Sequence, residues 1–261
     1  MTDAERETYL LAARLPGYKR KVNGALQEIC RALSMPGKWM VSYSSGKDST
    51  VLLDLLVRAG WEGLGFHAIC SEYEDPPENQ LQAEKARRQY GTDIRDIRCY
   101  GEYDAWRETG HFFCEPVTIA ERKSARRANT EFKKVSFTFM QEHGIKNMFM
   151  GLTKDESRAR EITLNKLGTL YQTKTRSGWT CCPLANWSAR DIWAYIVSHD
   201  LPYLSVYDCP YFSRERIRNE LTVMYCGYIT AHGVLLQYRL AYPDLFARLQ
   251  KEFPEVRKYA Y

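Results

Sequence analysis

The sequence predicts an α/β fold in which a parallel sheet is flanked by helices, with a helical C-terminal portion. Two observations carry this prediction. Strand-like apolar runs alternate with helix-length segments between Trp39 and Leu152, the pattern of parallel strands joined by right-handed crossovers. In addition, segments 44–50 and 151–160 each follow a strand-like run and are rich in small and polar residues. Ligands of such sheets bind beyond the carboxyl ends of the strands.

The elements are predicted in order from periodicity and from helix-breaking residues. Two N-terminal helices, from Glu5 to about Leu33, are separated at Pro16, and Pro36-Gly37 ends the second. Strands are predicted at 39–44, 64–70, 93–99 and 147–152, and helices at 51–59, 78–90 and 119–142. No element is assigned to the polar stretch around Gly101 and Gly110. We expect one domain with N-terminal helices at 1–36, the α/β part at 37–212 and a helical extension at 213–261.

Composition limits the class of protein. A chain of 261 residues with 44% hydrophobic content can bury a substantial core. The chain has no apolar run near eighteen residues, and its first residues are charged without a following apolar segment. We therefore expect a cytoplasmic protein without a membrane partner. Eight irregularly spaced cysteines indicate thiols, a metal or a cluster more than a disulfide framework.

Segment 41–50 has the composition of a phosphate-binding turn. It lies between a strand-like run and a helix, and a helix N-terminus with small residues before it directs backbone N–H groups at an anion. Lys47 adds a cation, and four residues add hydroxyl groups: Ser44, Ser45, Ser49 and Thr50. The chain contains no G-x-x-x-x-G-K-S/T motif, so this is not the loop of kinases and GTPases.

Three blocks of the sequence resemble one known superfamily. Residues 44–49 resemble the S-G-G-x-D-S loop of the ATP pyrophosphatase (PP-loop) superfamily, with Ser45 in place of the first glycine. Residues 151–160 resemble G-x-R-x-x-E-S-x-x-R of its 3′-phosphoadenosine-5′-phosphosulfate (PAPS) reductase branch, with Thr153 in place of the first arginine. Residues 183–203 resemble P-L-x-x-W-x-x-x-D-V-W-x-Y-I followed by L-P-Y. The blocks occur in family order and imply the adenine nucleotide α-hydrolase-like fold.

The resemblance also implies a set of functional residues. It implies ATP and Mg²⁺ as ligands, with catalytic roles for Lys47, Asp48 and Arg158. Nucleotide contacts are implied for Ser44, Ser45, Gly46, Ser49, Thr50, Gly151, Glu156, Ser157 and Arg160. Asp48 either helps to hold the loop and Mg²⁺ or caps the following helix, and both roles are compatible. Without the resemblance, residues 156–160 are equally typical of a capped, solvated helix start.

The cysteines leave several interpretations open. Because the chain has no C-x-x-C pair, a zinc ribbon is not indicated. Four cysteines could converge on an iron–sulfur cluster, drawn from Cys114, Cys181, Cys182, Cys209 and Cys226. Free structural thiols are the favoured interpretation. A nucleophilic or sulfur-carrying role is the third, with Cys182 and Cys209 as candidates.

The predicted function follows from one departure from the PAPS reductases. Those enzymes carry a nucleophilic cysteine in a C-terminal E-C-G-x-H motif, whereas no cysteine follows Cys226 in this sequence. We therefore expect adenylation of an acceptor by ATP with pyrophosphate release, for sulfur transfer such as DNA phosphorothioation. DNA, a sulfur-donor protein and a second copy of the chain are the expected partners. Three alternatives remain: a PAPS reductase-like enzyme, an ATP sulfurylase small subunit and an inactive nucleotide-binding module.

Positive charge is concentrated in one predicted helix. The formal net charge is only +5, yet the helix at 119–142 carries six basic residues in its first sixteen positions. They are Arg122, Lys123, Arg126, Arg127, Lys133 and Lys134. A solvated face and a nucleic-acid surface are both compatible with this run.

Overall fold

The computed structural model describes residues 1–173, 177–219, 221–225 and 228–259. The chain divides into two compact units. The first unit comprises residues 1–67, 82–95 and 137–203, and the second comprises residues 68–81, 96–136 and 204–261. Each unit is assembled from segments that are distant in the sequence. The division at residues 36 and 212 stays a prediction.

A six-stranded sheet forms the framework of the fold. Its strands are β1 (Trp39–Ser42), β2 (Leu64–Ile69), β3 (Asp93–Arg98), β4 (Asn147–Phe149), β5 (Leu170–Thr173) and β6 (Gly178–Cys181). Their spatial order is β3-β2-β1-β4-β6-β5. β1 is parallel to β2 and β4, β4 is parallel to β6, and β5 is antiparallel to β6. The predicted α/β fold is confirmed, and its strand order reverses at β1, which makes the end of β1 a switch point where ligands bind.

The described residues contain ten α-helices. They are α1 (Asp3–Arg14), α2 (Pro16–Leu33), α3 (Lys47–Arg58), α4 (Pro77–Tyr90), α5 (Glu102–Thr109), α6 (Ile119–Glu142), α7 (Arg158–Leu167), α8 (Ala189–Ser198), α9 (Tyr228–Ala241) and α10 (Pro243–Glu252). The predicted break at Pro16 is confirmed, since α2 begins at this residue. Proline is tolerated at the first position of a helix because the N–H that it lacks would have no partner within the helix. In the part of the chain that the structure describes, every helix is too short or too polar to span a bilayer.

The sequence analysis missed two parts of the structure. The polar stretch around Gly101 and Gly110 forms α5, and these glycines bound the helix at its two ends. Gly110 has a φ of 81°, a left-handed conformation that glycine adopts without strain at a helix C-terminus. The second missed part is the β5–β6 hairpin, whose strands are only four residues each and too short for a periodic signal.

The first unit buries most of β1 and most of α3. Trp39, Met40 and Val41 of β1 are buried, as expected for a central parallel strand covered on both faces. Five aliphatic side chains of α3 are at most 1% exposed: Val51, Leu52, Leu53, Leu55 and Leu56. Each contributes about 2 kcal/mol to stability by burial. Trp193 and Tyr195 of α8 are also buried.

A buried carboxylate connects three helices of the first unit. Asp54 of α3 accepts hydrogen bonds from the hydroxyl groups of Tyr195 at 2.6 Å and Tyr90 at 3.0 Å. Arg58 donates to the Tyr195 hydroxyl oxygen at 2.9 Å. The Tyr195 ring stacks on His199 with centroids 4.0 Å apart. This network fixes α3 against α4 and α8, and α3 is the helix that follows the phosphate-type loop.

Two carboxyl groups organise the second unit. Glu74 accepts hydrogen bonds from the backbone N–H groups of Glu102 at 2.7 Å and Tyr103 at 3.1 Å, at the start of α5. Glu102 in turn accepts hydrogen bonds from the backbone N–H groups of Val223 at 2.9 Å and Met224 at 3.1 Å. Burial raises the pKa of Glu74 to about 7 and that of Glu102 to about 8, although the N–H donors favour the charged forms.

The free energy of unfolding is expected to fall as the pH rises from about 4.5 to about 7 because of Glu74. Below this window both the folded and the unfolded state hold the proton. Within it, only the folded state retains the proton, so stability is lost at about 1.4 kcal/mol per pH unit until the folded pKa is passed. Urea unfolding across this pH range measures the slope for the wild type and for Glu74→Gln, which cannot ionise.

The difference between these two slopes measures the contribution of Glu74 together with its effect on Glu102, whose pKa the charge of Glu74 raises. Glu72→Gln is the matched control, because the exposed Glu72 pairs with Arg248 at the surface and leaves Glu74 in place. We expect this control to keep the wild-type slope. An equal slope in Glu74→Gln and the wild type would contradict the prediction.

Candidate functional site

The loop between β1 and α3 is closed by hydrogen bonds of one serine. The Ser49 hydroxyl donates to the carbonyl oxygen of Gly46 at 2.9 Å and accepts from the backbone N–H of Ser44 at 3.2 Å. The two side-chain oxygens of Ser44 and Ser49 lie 3.3 Å apart. Of the predicted contact residues, Ser49 therefore shapes the loop. The closed loop lies at the carboxyl end of β1.

The N-terminus of α3 offers a positive end to this loop. Gly46 precedes the helix, and no side chain caps it with a hydrogen bond. Because the first amides of a helix have no partner within it, they attract an anion together with the helix dipole. Lys47 is the first helical residue, is only 7% exposed and places Nζ 2.5 Å from the Asp48 carboxylate. Thr50, one turn on, is buried.

The carboxylate of Asp48 has the environment of a cation ligand. Burial raises its pKa, and the neighbouring Lys47 opposes that shift. Its Oδ2 contacts Lys47, whereas its buried Oδ1 has no hydrogen-bond partner among the described residues. A buried carboxylate oxygen without a partner is costly, and carboxylate oxygen is the ligand that Mg²⁺ prefers. Asp48 therefore fits the Mg²⁺ that the resemblance implies.

Ser45 has the backbone conformation of the glycine that it replaces. Its φ is 60°, in the left-handed region, and its side chain is 1% exposed. A residue with a Cβ atom is strained by about 1–2 kcal/mol in this conformation. The loop thus keeps the shape that a glycine would allow, in spite of the serine.

Ser45→Gly is expected to fold with equal or slightly higher stability, whereas Ser45→Val is expected to lose about 2 kcal/mol or more. Glycine removes the left-handed strain, which stabilises the folded state. It also makes the unfolded chain more flexible, which cancels part of this gain. Valine combines a β-branched side chain at positive φ with overfilling of a buried position. Urea unfolding of both variants tests this, and equal stabilities of the two variants would contradict it.

The second predicted segment packs against the first. A Cβ atom at Gly151 would lie 3.2 Å from the backbone carbon and oxygen of Asp48 and 3.3 Å from the backbone nitrogen of Ser49. Only glycine allows this approach without displacement of the loop. Two motifs about a hundred residues apart in the sequence therefore meet at the start of α3.

Of the remaining residues in segment 151–160, some are engaged in contacts within the protein and one is available to bind a ligand. Ser157 caps α7 by accepting a hydrogen bond from the backbone N–H of Arg160 at 3.3 Å. Glu156 forms an ion pair with Arg160 and also raises the pKa of Asp48 by its charge. Arg158 is exposed and makes no ion pair with any described residue. Arg158 is therefore the arginine left free for an anionic ligand, while Arg160 is engaged by Glu156.

The four described cysteines of the predicted cluster set have the environment of structural thiols. Cys181 and Cys182 are fully buried in the first unit, and Cys114 and Cys209 are buried in the second. Burial raises the pKa of Cys181 and of Cys209, so neither is activated as a thiolate. Within the described ranges, no three metal-binding side chains are grouped to hold a metal ion. Cys226, the fifth cysteine of the predicted set, lies outside the described residues.

Fold and loop together define an α/β protein of the PP-loop type. Comparison with family models then gives the family. Residues 38–213 match the phosphoadenosine phosphosulfate reductase domain. Since this match covers more than half of the chain, the chain belongs to that family of enzymes, and the resemblance noted in the sequence is confirmed.

Curated relatives match over a short part of the chain. The chain is 32% identical over 76 residues to a phosphoadenosine 5′-phosphosulfate reductase of Xanthomonas axonopodis pv. citri (strain 306). The match covers 28% of this chain and 28% of that relative. It thus spans little more than a quarter of the curated protein.

Two solved structures share the fold at low sequence identity. A PAPS reductase from Candida auris, in a phosphate complex, is 15% identical with a TM-score of 0.55, over 82% of this chain and 94% of that chain. A U34-tRNA thiolase from Methanococcus maripaludis, with its 4Fe–4S cluster, is 15% identical with a TM-score of 0.53, over 92% and 79% of the two chains. These likenesses support the fold.

Proposed function

We propose that the chain binds ATP with Mg²⁺ at residues 44–50 and adenylates an acceptor oxygen with release of pyrophosphate. One observation carries this proposal. A closed small-residue loop precedes an uncapped helix N-terminus that begins with Lys47, and Gly151 holds the second motif against it. Such an arrangement suits the charge of a polyphosphate.

The chain's own groups have distinct tasks in this reaction. The amides at the start of α3 and Lys47 bind the β and γ phosphates and so orient the α phosphorus for attack. Asp48 would hold Mg²⁺, which neutralises charge on the pyrophosphate leaving group. Arg158 supplies planar donors to a phosphate oxygen. Rate acceleration then comes from positioning and charge neutralisation more than from covalent chemistry.

The acceptor that we propose is a phosphate oxygen of DNA. The acceptor oxygen attacks the α phosphorus, the bond to pyrophosphate breaks, and AMP is transferred. A sulfur nucleophile at the sulfide oxidation level then attacks the activated phosphate, and AMP leaves with the original oxygen. The sulfur comes from a donor protein in this scheme. Burial raises the pKa of the Cys181 and Cys209 thiols, so neither of these two is activated as the sulfur nucleophile.

A PAPS reductase-like activity is the second candidate. It is favoured by the family match over residues 38–213. In that reaction a thiolate attacks the sulfuryl sulfur of PAPS, and sulfite is finally released with thioredoxin as reductant. Sulfite release from PAPS in the presence of thioredoxin distinguishes this candidate from adenylation.

Calorimetry on protein purified without oxygen tests the proposal. The ligands are a non-hydrolysable ATP analogue with Mg²⁺ and PAPS. Tighter binding of the ATP analogue is expected if the loop binds a triphosphate. Tighter binding of PAPS would support the second candidate instead. Absence of binding for both ligands would overturn both, and tight ATP binding without turnover on any acceptor would indicate a nucleotide-binding module.

A further inference from the structure

The basic residues of α6 lie on one side of the helix. At about 100° per residue, the six basic residues fall within an arc of about 140°. This basic arc consists of Arg122, Lys123, Arg126, Arg127, Lys133 and Lys134, all exposed. Buried residues of the same helix, such as Ser124 and Ala125, lie on the opposite side. Over the thirteen residues from Arg122 to Lys134 the arc is about 18 Å long.

Acidic side chains of α6 do little to neutralise the arc. Glu121 is buried and accepts hydrogen bonds from the backbone N–H groups of Val117 and Thr118 before the helix. Glu131 lies 4.0 Å from Lys134. Among the described residues, no ion pair is made by Arg122, Lys123, Arg126 or Lys133. Four of the six cations are therefore available to an external anion.

One arginine of the arc is held in place by an aromatic ring. The guanidinium carbon of Arg127 lies 3.9 Å from the ring centroid of Tyr100, and the Tyr100 hydroxyl donates to Glu108. Stacking leaves the N–H groups at the edge of the guanidinium free to donate. Arg127 thus loses less side-chain entropy when it binds a phosphate.

Two grooves of the second unit border the arc. The first has a volume of about 340 Å³, and its lining includes Lys123, Arg126 and Lys134. The second has a volume of about 470 Å³, and its lining includes Arg122 and Arg126. Arg126 lies between the grooves and belongs to both. The arc therefore has concave surfaces that can follow a strand of phosphates.

We propose that the basic arc of α6 binds the phosphate backbone of double-stranded DNA. Duplex DNA carries one negative charge per about 1.7 Å of axis, so the arc faces roughly ten charges along its length. Between its cations the arc carries the hydroxyl group of Thr130. Single-strand binding relies on a row of exposed aromatic rings on which successive bases stack. Of the two tyrosines beside the arc, Tyr100 is covered by Arg127, and the exposed Tyr225 lines the second groove with Arg122 and Arg126. One exposed ring beside six cations favours contacts to the phosphate backbone over base stacking. This inference rests on the proposed function, since the DNA that the basic arc binds is the acceptor in that reaction.

The test measures DNA affinity against salt for a triple variant. The variant is Arg122→Gln, Arg126→Gln, Lys133→Gln, and the control is Arg14→Gln, Lys85→Gln, Lys166→Gln, which removes the same charge from exposed positions of other helices. Fluorescence anisotropy with a labelled duplex of about 20 base pairs gives the slope of log K against log salt concentration. The magnitude of this negative slope decreases by about 0.9 for each phosphate contact that is lost. Single-stranded DNA and RNA of the same sequence are the comparison probes.

We expect the triple variant to bind duplex at least tenfold more weakly than the wild type at about 100 mM salt, with a slope smaller by about 2 to 3. The control should bind as the wild type does. Equal losses in the two variants, tighter binding of single-stranded DNA or RNA than of duplex, or no duplex binding by the wild type would each overturn the inference.

Calorimetry of the ATP analogue separates this inference from the proposed function. The triple variant should keep the wild-type ATP affinity, which also shows that it is folded. Retained ATP binding with no duplex binding by the wild type overturns the DNA surface and the DNA acceptor, but not the binding of ATP. Retained ATP binding with duplex binding that the triple variant keeps overturns the DNA surface alone. If the wild type does not bind ATP but binds duplex DNA through the basic arc, the adenylation proposal alone is overturned.

Discussion

Replacement of Lys47 by Met is expected to lower ATP-dependent pyrophosphate release by about 10² to 10³, the usual cost of removing one preorganised charge donor from a reacting group. Lys47 is the cation at the start of α3 and is buried beside Asp48. Its removal takes away both a phosphate contact and the charge that opposes the raised pKa of Asp48. Pyrophosphate release with duplex DNA as acceptor measures the effect.

Controls separate the phosphate contact from the ion pair. Lys38→Met changes an exposed lysine just before β1 and should leave the rate unchanged. The double variant Lys47→Met, Asp48→Asn removes both buried charges, so it should recover stability relative to Lys47→Met without recovering the rate. A Lys47→Met variant with the wild-type rate would contradict the assignment of the loop as the phosphate site.

Substitution of Gly151 is expected to disable the site by displacing the loop. A Cβ atom there would lie 3.2 Å from backbone atoms of Asp48 and 3.3 Å from the backbone nitrogen of Ser49. A side chain could rotate away from this contact, whereas backbone atoms move only if the loop itself is displaced. Gly151→Ala should shift the loop by a few tenths of an ångström and lower turnover about tenfold. Gly151→Val should lower it by about 10², the cost of a misplacement near 1 Å. Pyrophosphate release and calorimetry of the ATP analogue measure both.

Gly24→Ala is the matched control for this series. Gly24 lies within α2, and a Cβ atom there would meet no atom within 4 Å. This variant should keep full activity and gain up to about 1 kcal/mol, because alanine favours a helix interior more than glycine does. A fully active Gly151→Val would contradict the role of the contact between the two motifs.

Local sequence signals predicted most of the fold. The bounds of α6 are those expected from its pattern, and α2 begins at Pro16 as its helix signal requires. The strands end one to three residues earlier than predicted, because the residues after them already belong to loops. The hairpin of β5 and β6 escaped prediction, since strand pairing depends on partners and not on the strand itself. A charged residue inside an apolar helix, Asp54, was a signal of its buried network that the sequence analysis did not use.

By itself the sequence determined the family, the order of the first four strands, and which segments follow strands. These are local properties, written in periodicity, turn residues and motif spacing. Only the tertiary structure decided that Gly151 closes on the start of α3, that Arg160 is engaged by Glu156 while Arg158 is free, and that Asp48 keeps one oxygen without a partner. Contacts of this kind join residues that are distant in sequence or select one of several neighbours. They depend on the packing of the whole chain, which no single segment encodes.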